Sequence, residues 1–352
     1  MDIPLGITFD DVLLVPQLSN INPREASIET RLTKKLRLAL PIISAAMDTI
    51  TESRMAIALD AIGGLGILHR NCTTAEQVTM VQAVKKKKAR VGAAVGPHDL
   101  ERALALDKAG VDVIAVDAAH VHKPDVIQSM KIFRRKLRAE LIIGNIATAA
   151  AAKAFLPYAD ALKVGVGPGA ICTTRIVAGV GVPQLTAIME ITAVAKKKNI
   201  PVIADGGIRY SGDVVKALAA GASVVMLGSM LAGSSEAPGD VITINKKQFK
   251  RYRGMGSLGA MQNGQSSDRY GQKGAAKYVP EGVEGIVPFK GGVSDILFHI
   301  AGGLKSGMGY CGAKTIPELQ KKARFIRITP AGRAESHPHS IIIERQAPNY
   351  TA

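Results

Sequence analysis

The sequence has no tryptophan, and phenylalanine and tyrosine, at seven residues each, hold the aromatic content to 4%. A sizeable core must therefore be aliphatic and rich in small residues, which suits a parallel sheet covered by helices. So few aromatics also leave little for stacking on bases, which weighs against a single-stranded nucleic-acid binder. Cysteine is equally scarce: Cys72, Cys172 and Cys311 are widely separated and show no C-x-x-C spacing. That speaks against a paired-thiolate metal site and fits a reducing, cytoplasmic setting. No apolar run approaches the ~18 residues that would suggest a membrane span. The opening MDIPLGITFDDVLLVPQ carries two adjacent acids where a secretory signal needs a basic and then an apolar stretch. The expectation is a soluble, non-exported protein with no membrane partner.

Acidic residues are the minority, 29 against 45 lysines and arginines, giving a formal charge of +16. Such an excess fits nucleic acid, small anionic substrates or solvated helix faces. The basic runs at 85–88, 134–136 and 196–198 fall near the ends of predicted helices, where cations suit the negative end of the helix dipole. Solvated surface is the preferred reading, and nucleic acid is not required as a partner.

Eight short apolar, β-branched runs recur along the chain, at 41–44, 65–69, 90–95, 111–117, 140–145, 161–166, 201–207 and 223–229. Amphipathic stretches lie between them, for example 97–109, 124–137, 148–158, 186–198 and 211–220. This is the rhythm of an α/β protein of the (β/α)8 TIM-barrel class, and 352 residues suit one elaborated barrel domain over 1–352. The rhythm stops after Gly228-Ser229. Residues 236–292 are Gly-rich, polar and weakly periodic, too long for a routine connection; they are expected to form a mobile functional flap. A helix over 293–304 would complete the eighth unit, and 324–352 would form an extended C-terminal arm.

In such a barrel the chemistry lies just after the strands. The seventh run ends in Ala204-Asp205-Gly206-Gly207 and the eighth in Leu227-Gly228-Ser229. In many barrels these two loops bind phosphate through bare backbone N–H groups, although tight turns alone would also use glycine. After the sixth run stands GVGPGAICTTR, residues 165–175. It can expose carbonyls to a monovalent cation, present a thiol at the barrel mouth and use threonine hydroxyls to position water. A lone cysteine is more often a small buried hydrophobe, and it is the placement of Cys172 that favours catalysis.

The Cys172 loop GPGAICTTRIVAGVGVPQ, with FDDVLLVP, SAAMDTITE, ADGGIRYSGD, YRGMGSLGAM, Asp268-Arg269-Tyr270 and AESHPHS, resembles the inosine-5′-monophosphate dehydrogenase family over nearly the whole chain. The resemblance implies NAD-dependent oxidation of IMP to XMP, a step of guanine nucleotide synthesis, through a covalent Cys172 adduct that water then hydrolyses. It assigns Arg269 as general base on the flap beside Tyr270, and Thr174 to help activate water. Asp205, Gly207, Gly228, Ser229 and Tyr252, with Ala170, would hold ribose and phosphate. Met47, Gly254, Met255, Gly256 and Glu281 would face the purine. Asp117 would accept the nicotinamide ribose, with Ala119, His120, Asn145 and Gly165 on the NAD side. Potassium would sit on the carbonyls of Gly167, Gly169 and Cys172, completed by Glu335, Ser336 and His337 of a neighbouring subunit in a homotetramer. From the residues alone, Met47 and Met255 could equally be core and Asp117 a helix cap.

The chain departs from the family pattern in three places. Ala170 replaces a serine, removing one phosphate-binding hydroxyl. The run Asp117-Ala118-Ala119-His120-Val121-His122 loses a hydroxyl at Ala118 and a glycine at Val121, which bears on cofactor affinity. The CBS pair usual in the family is missing between about 71 and 90, which would remove allosteric control through it. Two alternative readings stand beside it: GMP reductase, a sister barrel disfavoured by Arg269-Tyr270 and IVAGVGVPQ, and a non-catalytic nucleic-acid-binding protein on the same scaffold.

Overall fold

All eight apolar runs become parallel strands: β1 Ile42–Ser44, β2 Leu65–Leu68, β3 Gly92–Val95, β4 Val113–Asp117, β5 Glu140–Ile146, β6 Ala161–Val164, β7 Val202–Asp205 and β8 Val224–Leu227. They pair in chain order and close through β8 on β1, so the sheet is a complete barrel. The computed structural model describes residues 3–262, 266–272, 274–345 and 347–350. Residues 263–265 and 273 of the expected flap, 346 and 351–352 of the expected arm, and 1–2 lie outside the described residues.

Each strand is followed, directly or after a loop, by a helix: α1 Ser53–Ala61, α2 Thr74–Lys86, α3 Leu100–Lys108, α4 Pro124–Lys136, α5 Ala149–Phe155, α6 Gln184–Ala195, α7 Ser211–Ala219 and α8 Val293–Tyr310. Their starts are set locally. Thr73 accepts the Glu76 N–H at 3.2 Å while Glu76 accepts the Thr73 N–H at 2.8 Å, a capping box that opens α2. Asp99 and Thr148 cap α3 and α5 in the same sense, and Pro124 occupies the first turn of α4. The basic runs lie at the C-terminal ends of α2 and α4 and in the turn that closes α6.

Strand periodicity divides the core in two. Ile43, Ile67, Ala94, Val113, Ala115, Ile142, Ile203 and Val224 fill the barrel interior, while the intervening residues pack outward against the helices. Small Ala and Val side chains fit the narrow interior, which is why the near absence of aromatics is tolerated.

Three expectations change. The 236–292 segment is not irregular throughout: Val241–Ile244, Lys247–Arg253 and Glu284–Pro288 form an antiparallel three-stranded sheet. The flap proper therefore springs from the Arg253 and Glu284 pair. The charges crowded into Lys247–Arg253 and the glycines between it and Glu284 hid the alternation of those strands. The final barrel helix runs to Tyr310 rather than 304. Its glycines do not end it, because a Cβ at Gly307 would meet Val215 of α7 at 2.8 Å; they allow close helix contact. The arm is also partly folded: Phe325–Arg327 pairs antiparallel with Val12–Leu14, and Pro330–Glu335 forms a short helix.

Phe155 ends α5 fully buried, edge-on to His122 with ring centroids 6.5 Å apart. Phe155→Ala should lower the unfolding free energy by about 3–5 kcal/mol, measured by urea denaturation. A loss below about 1 kcal/mol would contradict a close-packed sheet–helix layer.

Candidate active site

The period of two that fills the barrel with Val113, Ala115 and Ile203 also turns Asp117 and Asp205 inward at the ends of β4 and β7. Lys163 on β6 shares that inward parity with Ala161. Its side chain is only 2% exposed, and its Nζ lies 2.8 Å from Asp117 Oδ1 and 3.0 Å from Asp205 Oδ2. Gly144 of β5, between Asp117 and Lys163 in the register, leaves space for this ammonium: a Cβ there would stand 2.5 Å from that of Lys163. A register shift between Gly144 and Ile146 aims Asn145 into the barrel, as irregularities beside active sites commonly do. Asn145 Oδ1 accepts from Lys163, and its Nδ2 donates to Asp205 Oδ2 at 2.8 Å and the Gly165 carbonyl at 2.7 Å. One cation thus braces two carboxylates, leaving one oxygen of each free of it.

Cys172 stands on the loop after β6, half-buried, with Sγ 3.1 Å from Thr174 Oγ1. Arg175 fixes the loop by donating to the carbonyls of Val166 and Val182 at 3.3 and 2.6 Å. Burial lowers the Arg175 pKa, and the neighbouring Cys172 opposes that shift. The base of the flap is stitched to this loop by backbone: Thr173 N–H donates to Glu281, Val283 N–H to Ile171, and Glu281 N–H to Gly256, at 2.9–3.0 Å.

From that base the turn Ser266–Tyr270 returns over the barrel and inserts Arg269, whose guanidinium pairs with Asp117 Oδ2. Its buried Nε has no hydrogen-bond partner among the described residues. Burial pushes the Arg269 pKa down; Tyr270 works against this and the nearby Arg70 charge adds to it. The Tyr270 ring packs against Gly256, and burial raises its phenol.

The cavity has two lobes. The inner one is lined by Asp117, Asn145, Gly165, Cys172, Arg269 and Tyr270, together with Gly167, Gly254, Met255 and Glu281. Met47, Gly169, Asp205 and Tyr252 line both lobes. Ala170, Gly207, Gly228 and Ser229 line the outer one. The outer volume of about 320 Å³ falls in the small-molecule range of about 300–1,000 Å³. The inner lobe, about 120 Å³, is already partly filled by the flap. Burial, Asp205 and Cys172 all raise the Tyr252 pKa, so at neutral pH its phenol is a proton donor facing the Gly228 loop.

Of the remaining sequence candidates, Thr174 touches Cys172, and Gly256 touches Tyr270. The Ala119 N–H donates to the Arg269 carbonyl at 3.2 Å, and His120 stands edge-on to His122 on the same loop. Glu335, Ser336 and His337 line neither lobe; His337 Nδ1 is instead 3.0 Å from the Tyr350 hydroxyl. Sequence reasoning missed Lys163, Arg70 and Gln184, whose Nε2 donates to the carbonyls of Val164 and Asp205 at 2.9 and 3.1 Å. The signal for Lys163 was present: a lysine inside an apolar strand at the parity that faces the barrel.

A closed parallel barrel carrying a thiol, a hydroxyl partner and a braced pair of acids at its strand ends defines the class as a (β/α)8 enzyme with a cysteine at its mouth. The chain belongs to the IMP dehydrogenase / GMP reductase family, whose domain model matches residues 6–339. It is 44% identical to an inosine-5′-monophosphate dehydrogenase of Methanocaldococcus jannaschii, with 97% of each chain covered. It is 43% identical to that of Aquifex aeolicus, over 98% of this chain and 97% of the relative, and 46% identical to that of Cryptosporidium parvum, over 98% of each. The first alignment spans 480 positions against 352 residues here, so on the order of a hundred positions of that relative have no counterpart in this chain.

Lys163→Met strands two buried carboxylates and should lower the unfolding free energy by about 3–5 kcal/mol. Urea denaturation reads this directly, and unchanged stability would contradict a charge centre at Lys163.

Proposed function

We propose that this chain oxidises inosine 5′-monophosphate to xanthosine 5′-monophosphate, with NAD as hydride acceptor, in guanine nucleotide synthesis. The observation that carries the reading is the Cys172 thiol beside Thr174, at the junction of a Gly-lined outer lobe and an acid-lined inner lobe closed by Arg269 and Tyr270. The relatives' names support the same substrate. GMP reduction is not favoured, since the flap supplies what hydrolysis requires.

The nucleotide's phosphate lies in the outer lobe, against the Gly207 and Gly228–Ser229 loops, with Tyr252 donating. Asp205, braced by Lys163, takes the ribose hydroxyls with a free carboxylate oxygen. The purine then extends over Met47 and Met255 toward Cys172. The thiolate adds to C2, and the hydrogen at C2 departs as hydride, leaving a covalent nucleotide on Cys172. NAD supplies the acceptor for that hydride. Water then adds at C2, its proton leaves through Thr174 and Arg269, and the thiolate departs with release of XMP. Arg269 suits the role of base because burial disfavours its charged form.

Asp117 serves both halves of the cycle. Its oxygen meets Arg269 when the flap is down, and the nicotinamide ribose would use that same oxygen, so the flap and NAD exclude one another. Flap movement is accordingly part of the reading.

The carbonyls of Gly167, Gly169 and Cys172 belong to one tight loop and offer a donor set suited to a hard monovalent cation, which we take to be potassium. The described residues contain no group of three or more His, Cys, Asp or Glu suited to a metal ion. Glu335, Ser336 and His337 would complete the site from a neighbouring copy in a homotetramer. Ile176, Val177 and Val180 just beyond the loop are 87%, 47% and 60% exposed, and support a covered face there. The CBS pair is read as absent, because residues 87–91 alone join α2 to β3. No helix of the described residues is long and apolar enough to cross a membrane; three free thiols support a cytoplasmic setting.

Absorbance assays should show NADH with IMP and NAD; activity only with GMP and NADPH would overturn the reading. Arg269→Ala should slow hydrolysis by about 10²–10⁴-fold while hydride transfer survives as a burst of NADH. Equal loss in both steps would contradict the assignment.

A further inference from the structure

The flap's contacts with the barrel extend beyond Arg269. Arg70 follows β2, is 7% exposed, and its Nη1 lies 2.7 and 2.8 Å from the two oxygens of Asp268. Its Nη2 donates to the Asp117 carbonyl at 3.1 Å. One buried guanidinium therefore joins the ends of β2 and β4 to the residue directly before Arg269. The Ala119 N–H grips the Arg269 carbonyl at 3.2 Å, so residues 268 and 269 are each tied to a strand-end loop. Gly96, just after β3, keeps the intervening space clear. A Cβ there would stand 3.3 Å from Asp268 Oδ2 and 3.5 Å from Arg70 Nη1.

We propose that Arg70 is a positioning residue for the hydrolytic step: it is the fixed receptor for Asp268, and this latch holds Arg269 in the inner lobe. The inference rests on the proposed function, in which hydrolysis needs the flap down. Charge-assisted hydrogen bonds to both carboxylate oxygens are strong and directional. When the flap lifts, Arg70 keeps only a neutral carbonyl for its charge, and a buried cation without its counter-ion disfavours that state. The latch therefore biases the flap toward closure without touching the nucleotide. Among the described residues the Ser266–Tyr270 turn makes two ion pairs to the strand ends, Asp268 with Arg70 and Arg269 with Asp117. NAD would compete directly for the second, so the first is the contact that favours return. Arg70 also adds to the downward shift of the Arg269 pKa, so a latched flap also places the base beside a like charge.

The test is rapid mixing of the full chain with IMP and NAD, following NADH through the first turnover and into the steady state. Asp268→Asn is the primary variant because Asp268 is part-exposed on the flap; Arg70→Met and the double variant complete a cycle, and Gly96→Ala crowds the latch. The expected result for Asp268→Asn is a first-turnover rate within about twofold of wild type, with steady-state turnover slowed about 10- to 100-fold and a burst of NADH. Gly96→Ala should move turnover the same way by less. The double variant should be no slower than the slower single one, since both break one contact. Unchanged steady-state turnover, an equal fall in both phases, or multiplying single effects would overturn the latch while leaving the dehydrogenase reading intact. A wild-type chain forming no NADH from IMP would overturn that reading itself, and the latch's place in it.

Discussion

A single ammonium group, Lys163 Nζ, buried between Asp117 and Asp205, is the constraint on which the site depends. Two carboxylates facing one small cavity would repel each other. The cation between them removes that conflict, and Asn145 fixes the geometry by accepting from Lys163 and donating to Asp205. Three strands, β4, β6 and β7, are thereby locked at their C-terminal ends. The Asp117 oxygen left free meets Arg269 of the flap, and in the proposed function the free Asp205 oxygen takes the nucleotide ribose.

In the proposed two-stage cycle, Asp117 is the point at which the flap and the dinucleotide exclude one another. Arg269 pairs with one oxygen of Asp117, and in the proposed cycle the nicotinamide ribose takes that same oxygen once the flap has lifted. The thiol remains on a rigid loop throughout, held by Arg175 and by backbone bonds to Glu281 and Val283. In the proposed cycle what changes is which group stands opposite it, and the Arg70–Asp268 latch would bias that choice toward Arg269.

Much of this was legible in the sequence because the barrel's signals are local. Short β-branched runs, amphipathic stretches and Gly-rich strand ends each announce themselves within a few residues, and the Cys172 loop carries its chemistry in one stretch. The resemblance supplied Arg269, Tyr270 and Asp117, which the cavity then gathers. Lys163 escaped because the 161–166 run reads as a strand whatever its lysine does, and only parity tracked across β4, β6 and β7 together turns that lysine into the barrel. Arg70 and Asp268 are 198 positions apart and neither lies in a local motif that pairs them. The sheet at the flap base was obscured by glycine and charge, and the length of α8 by glycines that serve helix contact. Glu335, Ser336 and His337 have no role that one chain alone displays.

The central claim is that Cys172 carries the nucleotide between the two steps. Enzyme quenched in acid during turnover with IMP and NAD, then analysed by intact and peptide mass spectrometry, tests it directly. The account predicts a nucleotide-sized mass increase on the peptide containing Cys172, absent when either substrate is withheld. NADH formed in full while Cys172 stays unmodified at every quench time, or the adduct found on Cys72 or Cys311, would contradict it.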